Sequence, residues 1–221
     1  KIEGDRVVIE GNLYFSYNSL TSLPESFGNL KVGGNLNLNS NKLTSLPESF
    51  GNLKVGGSLS LYNNNLTSLP ESFGNLKVGG SLSLSNNKLT SLPESFGNLK
   101  VGGNLYLNNN NNLTSLPESF GNLKVGGSLY LSYNSLTSLP ESFGNLKVGG
   151  KINLENNPIK DPSKENNENL PVFIKQPLSK NILQNKFSSG YIKSMQDIDS
   201  PYSSANDDDD DDDEPPEPLK I

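Results

Sequence analysis

Over most of this chain leucine alternates with small polar residues, then gives way to a fixed string of mixed character. Residues 81–85 read Ser-Leu-Ser-Leu-Ser. A period of two predicts a short strand, with Leu82 and Leu84 on one face and Ser81, Ser83 and Ser85 on the other. The string LTSLPESFGNLKVGG follows. It occurs six times, beginning at Leu20, Leu43, Leu66, Leu89, Leu113 and Leu136. The step is 23 residues except for one step of 24, whose extra residue lies within Asn108 to Asn112. Such a fixed period indicates stacked, structurally equivalent turns.

One full unit is xLxLxxNxLTSLPESFGNLKVGG. Its strands, stacked in parallel, predict a continuous sheet. The asparagine after each strand falls where the chain must turn, and its amide can bond the backbone of its own and the neighbouring turn. Asn18, Asn41, Asn64, Asn87, Asn134 and Asn157, with Asn110 or Asn111 in the long unit, therefore predict an asparagine ladder. Pro93 ends the extended pattern, and Leu89, Leu92, Phe96 and Leu99 are expected in the core. The series Phe27, Phe50, Phe73, Phe96, Phe120 and Phe143 predicts a stacked spine towards the opposite side. The glycine pair is expected to bend the chain into the next strand. Between them, proline and glycine leave room only for extended or 3-10 segments. A single unit buries too little to fold alone, so stability is expected to be cooperative along the array.

This unit resembles the leucine-rich-repeat signature LxxLxLxxNxLxxLP, in register from about Val7 to Ile159, or roughly seven turns. Where the family has its first leucine this chain has Gly33, Gly56, Gly79, Gly102, Gly126 and Gly149, with valine one position earlier. Arrays of the LP…LKVGGxLxL form are similar to those of bacteria, phages and large DNA viruses. The resemblance implies an α/β-type solenoid: a horseshoe with one parallel β-sheet on the concave face and short extended or 3-10 segments on the convex face. It also implies that the outward strand positions line the concave face and bind a partner protein.

Nearly all variation between units falls on those positions. Six of the eight tyrosines are there, among serines and asparagines, a composition that combines rigid amphipathic area with adaptable hydrogen bonding. The candidate partner-binding residues are Tyr14, Tyr17, Asn37, Asn39, Tyr62, Asn63, Ser85, Asn86, Tyr106, Asn108, Tyr130 and Tyr133. Asn12, Asn35, Ser58, Ser81, Asn104 and Ser128 share the same outward-facing set. The competing interpretation is neutral drift on a scaffold, which makes the alternative function a structural or particle-surface component with no dedicated ligand.

Composition narrows the chemistry. The chain has no Cys and no His, so it lacks thiolate nucleophiles, disulfides, and the commonest general base and metal ligand. No phosphate-cradling loop or nucleophile motif is present. We therefore expect no enzyme activity, no cofactor and no metal. No apolar run is long enough to span a bilayer, and no secretory signal is visible. These features lead us to expect a monomer in the cytoplasm, with a virion or cell surface as alternatives. The sequons at Asn65 and Asn112 arise wherever Asn precedes LTS and are read as chance.

Charge separates two regions. Through Asn157 there are 11 basic and 10 acidic residues, whereas from Pro158 there are 7 and 14, so the net charge of −6 belongs to the C-terminal part. We accordingly divide the chain into a solenoid, 1–159, with 1–11 as its N-terminal cap, and an acidic tail, 160–221, expected to be mostly disordered. Within the tail, PLSKNILQNKF from Pro177 fits a short amphipathic helix with Ile182, Leu183 and Phe187 on one side. The run Asp207–Asp213 lacks the glycine and alternating ligands of a calcium loop. Glu94 and Lys100, with their copies, are expected as solvated charge ladders, and the repeats are not basic enough to track nucleic-acid phosphates.

Overall fold

The computed structural model describes residues 2–3 and 6–160. The sequence-based expectations for the acidic tail, including the helix from Pro177 and the run Asp207–Asp213, lie outside these residues.

Six successive coils each contain two short strands and one 3-10 turn, the last described coil contributes two strands, and the coils stack in register as an array of about seven turns. The Leu-x pair of each unit forms a seven-stranded parallel sheet, from Leu13–Tyr14 through to Ile152–Asn153. Equivalent residues pair across it: Leu36 with Leu59, Leu59 with Leu82, and Leu105 with Leu129. The structure adds a second ladder to the single sheet anticipated. The Lys-Val pairs form their own sheet, parallel from Arg6–Ile9 to Lys147–Val148. Ile2–Glu3 pairs antiparallel with Arg6–Ile9 and closes one end of this sheet.

The glycine pair lies between the two strands, and close packing accounts for it better than bending does. A Cβ on Gly56 would lie 2.2 Å from the Gly33 carbonyl oxygen, and one on Gly79 would lie 2.1 Å from that of Gly56. Neither glycine has a left-handed φ. Backbone of one coil therefore rests on backbone of the next, and any side chain would wedge the coils apart. The glycine of each 3-10 turn is equally confined: a Cβ on Gly51 would lie 2.0 Å from the Ser72 carbonyl oxygen.

Opposite the strands, Glu25–Asn29 and its five copies form 3-10 turns, each entered from an extended proline such as Pro93 (φ −67°, ψ 154°). The constrained φ of proline and its missing amide suit this entry. The core fills the space between. Leu82, Leu84, Leu89 and Phe96 are fully buried in one coil. The phenyl rings from Phe27 to Phe143 stack with centroids 6.0–6.2 Å apart and planes within 2° of parallel. At the N-terminal end Phe15 tilts against Phe27 at 53°. This offset parallel spacing is a favourable aromatic arrangement, and repetition makes the spine continuous.

Candidate functional site

The turn that follows each Leu-x strand is held by side chains as well as backbone. Asn64 shows the pattern. Its Nδ2 donates to the carbonyls of Leu38 in the preceding coil (3.0 Å) and Leu61 in its own (3.1 Å). Its Oδ1 accepts the Leu43 amide at 3.1 Å. Asn41, Asn87 and Asn157 repeat these bonds, while Asn18 in the first coil donates to the Ser16 carbonyl. Each buried amide thus satisfies turn groups that no strand partner reaches.

In the long unit, Asn110 holds the ladder position, bonding the Leu84 and Leu107 carbonyls. The extra residue is absorbed in a turn closed by the Leu113 amide on the Asn110 carbonyl (2.8 Å). Asn134 then accepts the Asn110 amide (2.7 Å) in place of a leucine amide. Leu113 remains fully buried, so the insertion leaves the core register intact.

A further ladder was not read from the sequence. Asn12, Asn35 and Asn104 accept, through Oδ1, the amides of Asn35, Ser58 and Ser128 in the next coils at 2.7–2.8 Å. Ser58, Ser81 and Ser128 do so through Oγ, to Ser81, Asn104 and Lys151, at 2.9–3.0 Å. These residues follow the glycine pair, and their side chains are engaged with the neighbouring coil. The restriction of this position to Asn, Ser and a terminal Lys was the available signal, since Asn and Ser are the short acceptors that reach an adjacent amide.

The candidate partner-binding residues form three columns. Tyr14, Asn37, Tyr106 and Tyr130 lie in the first, in strand register with Ser60 and Ser83. Asn39, Tyr62, Ser85 and Asn108 form the second, two residues further along. Tyr17, Asn63, Asn86 and Tyr133 belong to the third, where the chain leaves the strand. Tyr106 and Tyr130 stack face to face, with centroids 4.8 Å apart and planes at 6°. The hydroxyls of Tyr14, Tyr106 and Tyr62 accept hydrogen bonds from Asn12, Asn104 and Asn86 at 2.8, 2.8 and 2.9 Å. These bonds fix ring orientation in advance of any contact.

Ser85 is buried and donates to Asn108 Oδ1 at 2.6 Å, so it belongs to the floor of the face. Ser60 and Ser83 are also buried there, and their hydroxyls have no hydrogen-bond partner among the described residues. Asn37 Oδ1 accepts the Asn39 amide, Asn39 Oδ1 accepts the Tyr62 amide, and Asn63 donates to Ser40. Those asparagines chiefly brace the turn.

The third column has left-handed backbone in every coil: Tyr17, Ser40, Asn63, Asn86, Asn109, Tyr133 and Asn156 have φ between 52° and 60°. Asparagine tolerates this region; tyrosine does so at greater cost. Tyr17 and Tyr133 nevertheless occupy it and project outward, with Tyr17 82% exposed. Among the described residues the exposed large hydrophobics are Ile2 and Val7 at the N-terminal cap, and Tyr14, Tyr17 and Tyr133 on this face.

Glu25 marks the opposite side. Its Oε2 accepts the Ser49 amide at 3.0 Å, and its carbonyl accepts the Ser49 hydroxyl. The Ser49 bonds, side chain first and then backbone, hold the Glu25 carboxyl below the usual range. Ser119 and Ser142 bond Glu94 and Glu118 in the same way. Among the described residues there is no cluster of metal-ligating side chains, and no helix is long and apolar enough to cross a membrane.

Comparison with known proteins adds to this geometry. The family described as Leucine Rich Repeat matches residues 12–30, 35–53, 58–76, 81–99, 104–123 and 128–146. A leucine-rich-repeat protein of Leptospira interrogans is 30% identical, with a TM-score of 0.43, over 65% of this chain and 42% of that one. YopM of Yersinia enterocolitica is 29% identical, with a TM-score of 0.42, over 68% of this chain and 34% of that one. The Drosophila Toll–Spatzle complex is 23% identical, with a TM-score of 0.39, over 81% of this chain and 30% of that one. This chain therefore spans less than half the length of these structures. No curated protein sequence matches it. Six matches in register with six coils, on a solenoid of parallel strands and 3-10 turns, establish that this chain belongs to the leucine-rich-repeat family.

Proposed function

We propose that this solenoid is a non-catalytic binding module and that its tyrosine-bearing strand face receives a partner protein. Leucine-rich-repeat domains commonly mediate protein–protein interaction, which sets the class of function. The face is assigned from one observation: Tyr17 and Tyr133 are exposed at left-handed positions where asparagine, used in four of the seven coils, would cost less. Backbone strain borne at an exposed aromatic residue favours a contact role over drift. The Tyr106–Tyr130 stack adds a rigid aromatic surface beside Tyr133, as interface anchors require.

Capture with the full chain as bait tests this directly. A partner retained by the parent chain is expected to be lost when Tyr106, Tyr130 and Tyr133 are changed together to Ser. Equal retention by both chains removes this face as the site.

A further inference from the structure

The strand face differs from the rest of the solenoid in its charge. In the first six units its four outward positions per unit are filled only by Asn, Ser and Tyr. Two residues beyond the third column, at an equally variable position, Lys42 and Lys88 appear and are exposed. Each of these units also carries an exposed glutamate and an exposed lysine, Glu94 and Lys100 in the fourth. Drift at exposed positions therefore admits charge beside the face, whereas the face itself excludes it. Lys151 and Glu155, at its C-terminal edge, are the first charged residues in the outward set.

Most directed polar groups on the face are engaged within the solenoid. Asn12 and Asn35 accept amides of the next coil through Oδ1. Asn37 and Asn39 accept amides of their own and the next coil, and the Tyr14 hydroxyl accepts from Asn12. What the face turns outward is therefore ring area. Tyr14 is 62% exposed and Tyr17 82% in the first coil, and Tyr133 is 55% exposed in the sixth. Five strand spacings of about 4.8 Å place these two groups about 24 Å apart. A segment of about seven extended residues covers that span. An ionised side chain laid on this face gives up hydration and meets no counter-charge. A glycan, whose many hydroxyls each need a partner, finds few polar groups that are not already engaged.

Given that the strand face is the binding site, we propose that it receives an extended, uncharged peptide segment of the partner, with apolar side chains on Tyr14 and Tyr17 at one end and on Tyr133 at the other. Specificity comes from exclusion of charged segments as much as from attraction, and affinity is insensitive to salt.

The test is selection of a random dodecapeptide display library on the immobilised full chain. Enriched peptides are expected to carry Asp, Glu, Lys and Arg at least about threefold less often than the starting library. Their dissociation constants are expected to change by less than about twofold between about 0.05 M and about 0.5 M salt. Joint substitution Tyr14→Ser, Tyr17→Ser and Tyr133→Ser, all at exposed positions, is expected to weaken binding at least about tenfold. Charged, salt-sensitive peptides that the triple variant loses would leave the face as the site and overturn its preference for uncharged segments. Uncharged peptides held equally by the triple variant overturn both. No enrichment, or binding of the neutral glycan maltoheptaose in place of peptides, overturns the proposal as well.

Discussion

Asn87 bonds both its own coil and the one before it: its Oδ1 accepts the Leu66 amide at 3.1 Å, while its Nδ2 donates to Leu61 and Leu84. One side chain thereby satisfies buried groups on two adjacent coils. Asn87→Ala strands these groups without water and is expected to cost about 3 kcal/mol or more. Asn87→Asp keeps the acceptor but removes the donors, and is expected to be comparably damaging. Denaturant unfolding of the full chain checks both.

The glycines make a sharper prediction about coil spacing. Gly56→Ala places a Cβ against the Gly33 carbonyl and is expected to cost at least about 2 kcal/mol. Gly11 has nothing within 4 Å of an added Cβ. Gly11→Ala is expected to change stability by no more than about 0.5 kcal/mol. The pair of unfolding curves distinguishes close backbone packing from a general demand for flexibility.

Tyr133 carries a prediction with opposite signs for stability and binding. Its φ of 55° favours asparagine. Tyr133→Asn is expected to raise stability by about 0.5–1 kcal/mol and to weaken partner capture. A variant that is both more stable and fully competent in capture would mean that the tyrosine is not retained for contact.

Glu25 predicts an acid response. Its carboxyl is depressed by bonds to Ser49. A depressed folded value means that the contribution to stability is present above the unfolded pKa and lost as pH falls through the folded one. The protection of the Ser49 amide, measured as its exchange relative to the intrinsic rate at each pH, is therefore expected to fall as pH drops through the range below the usual carboxylate value. Glu25→Gln is expected to remove that pH dependence.

The solenoid, the asparagine ladder and the phenylalanine spine are legible because an in-register repeat turns each core position into a column. Other features depend on contacts between coils. The role of Gly56 emerges only once the Gly33 carbonyl is known to lie against it. Asn35 and Ser58 alternate with leucine as strand-face residues do, yet their side chains turn to the next coil's amides. The left-handed position is obscured because tyrosine and serine share it with asparagine. Grouping of the lysines depends on a second sheet made from two-residue strands, too short for periodicity to reveal. The tyrosine columns follow from alternation up to Tyr106 and Tyr130, whereas the backbone at Tyr17 and Tyr133 required the structure.

The central claim, that the tyrosine-bearing face receives a protein partner, is tested most directly by hydroxyl-radical footprinting of the full chain alone and in complex with its captured partner. The account predicts strong protection of Tyr14, Tyr17 and Tyr133 in the complex, with oxidation of Ile2 and Val7 unchanged. Unaltered oxidation of all three tyrosines in a demonstrably formed complex would contradict it.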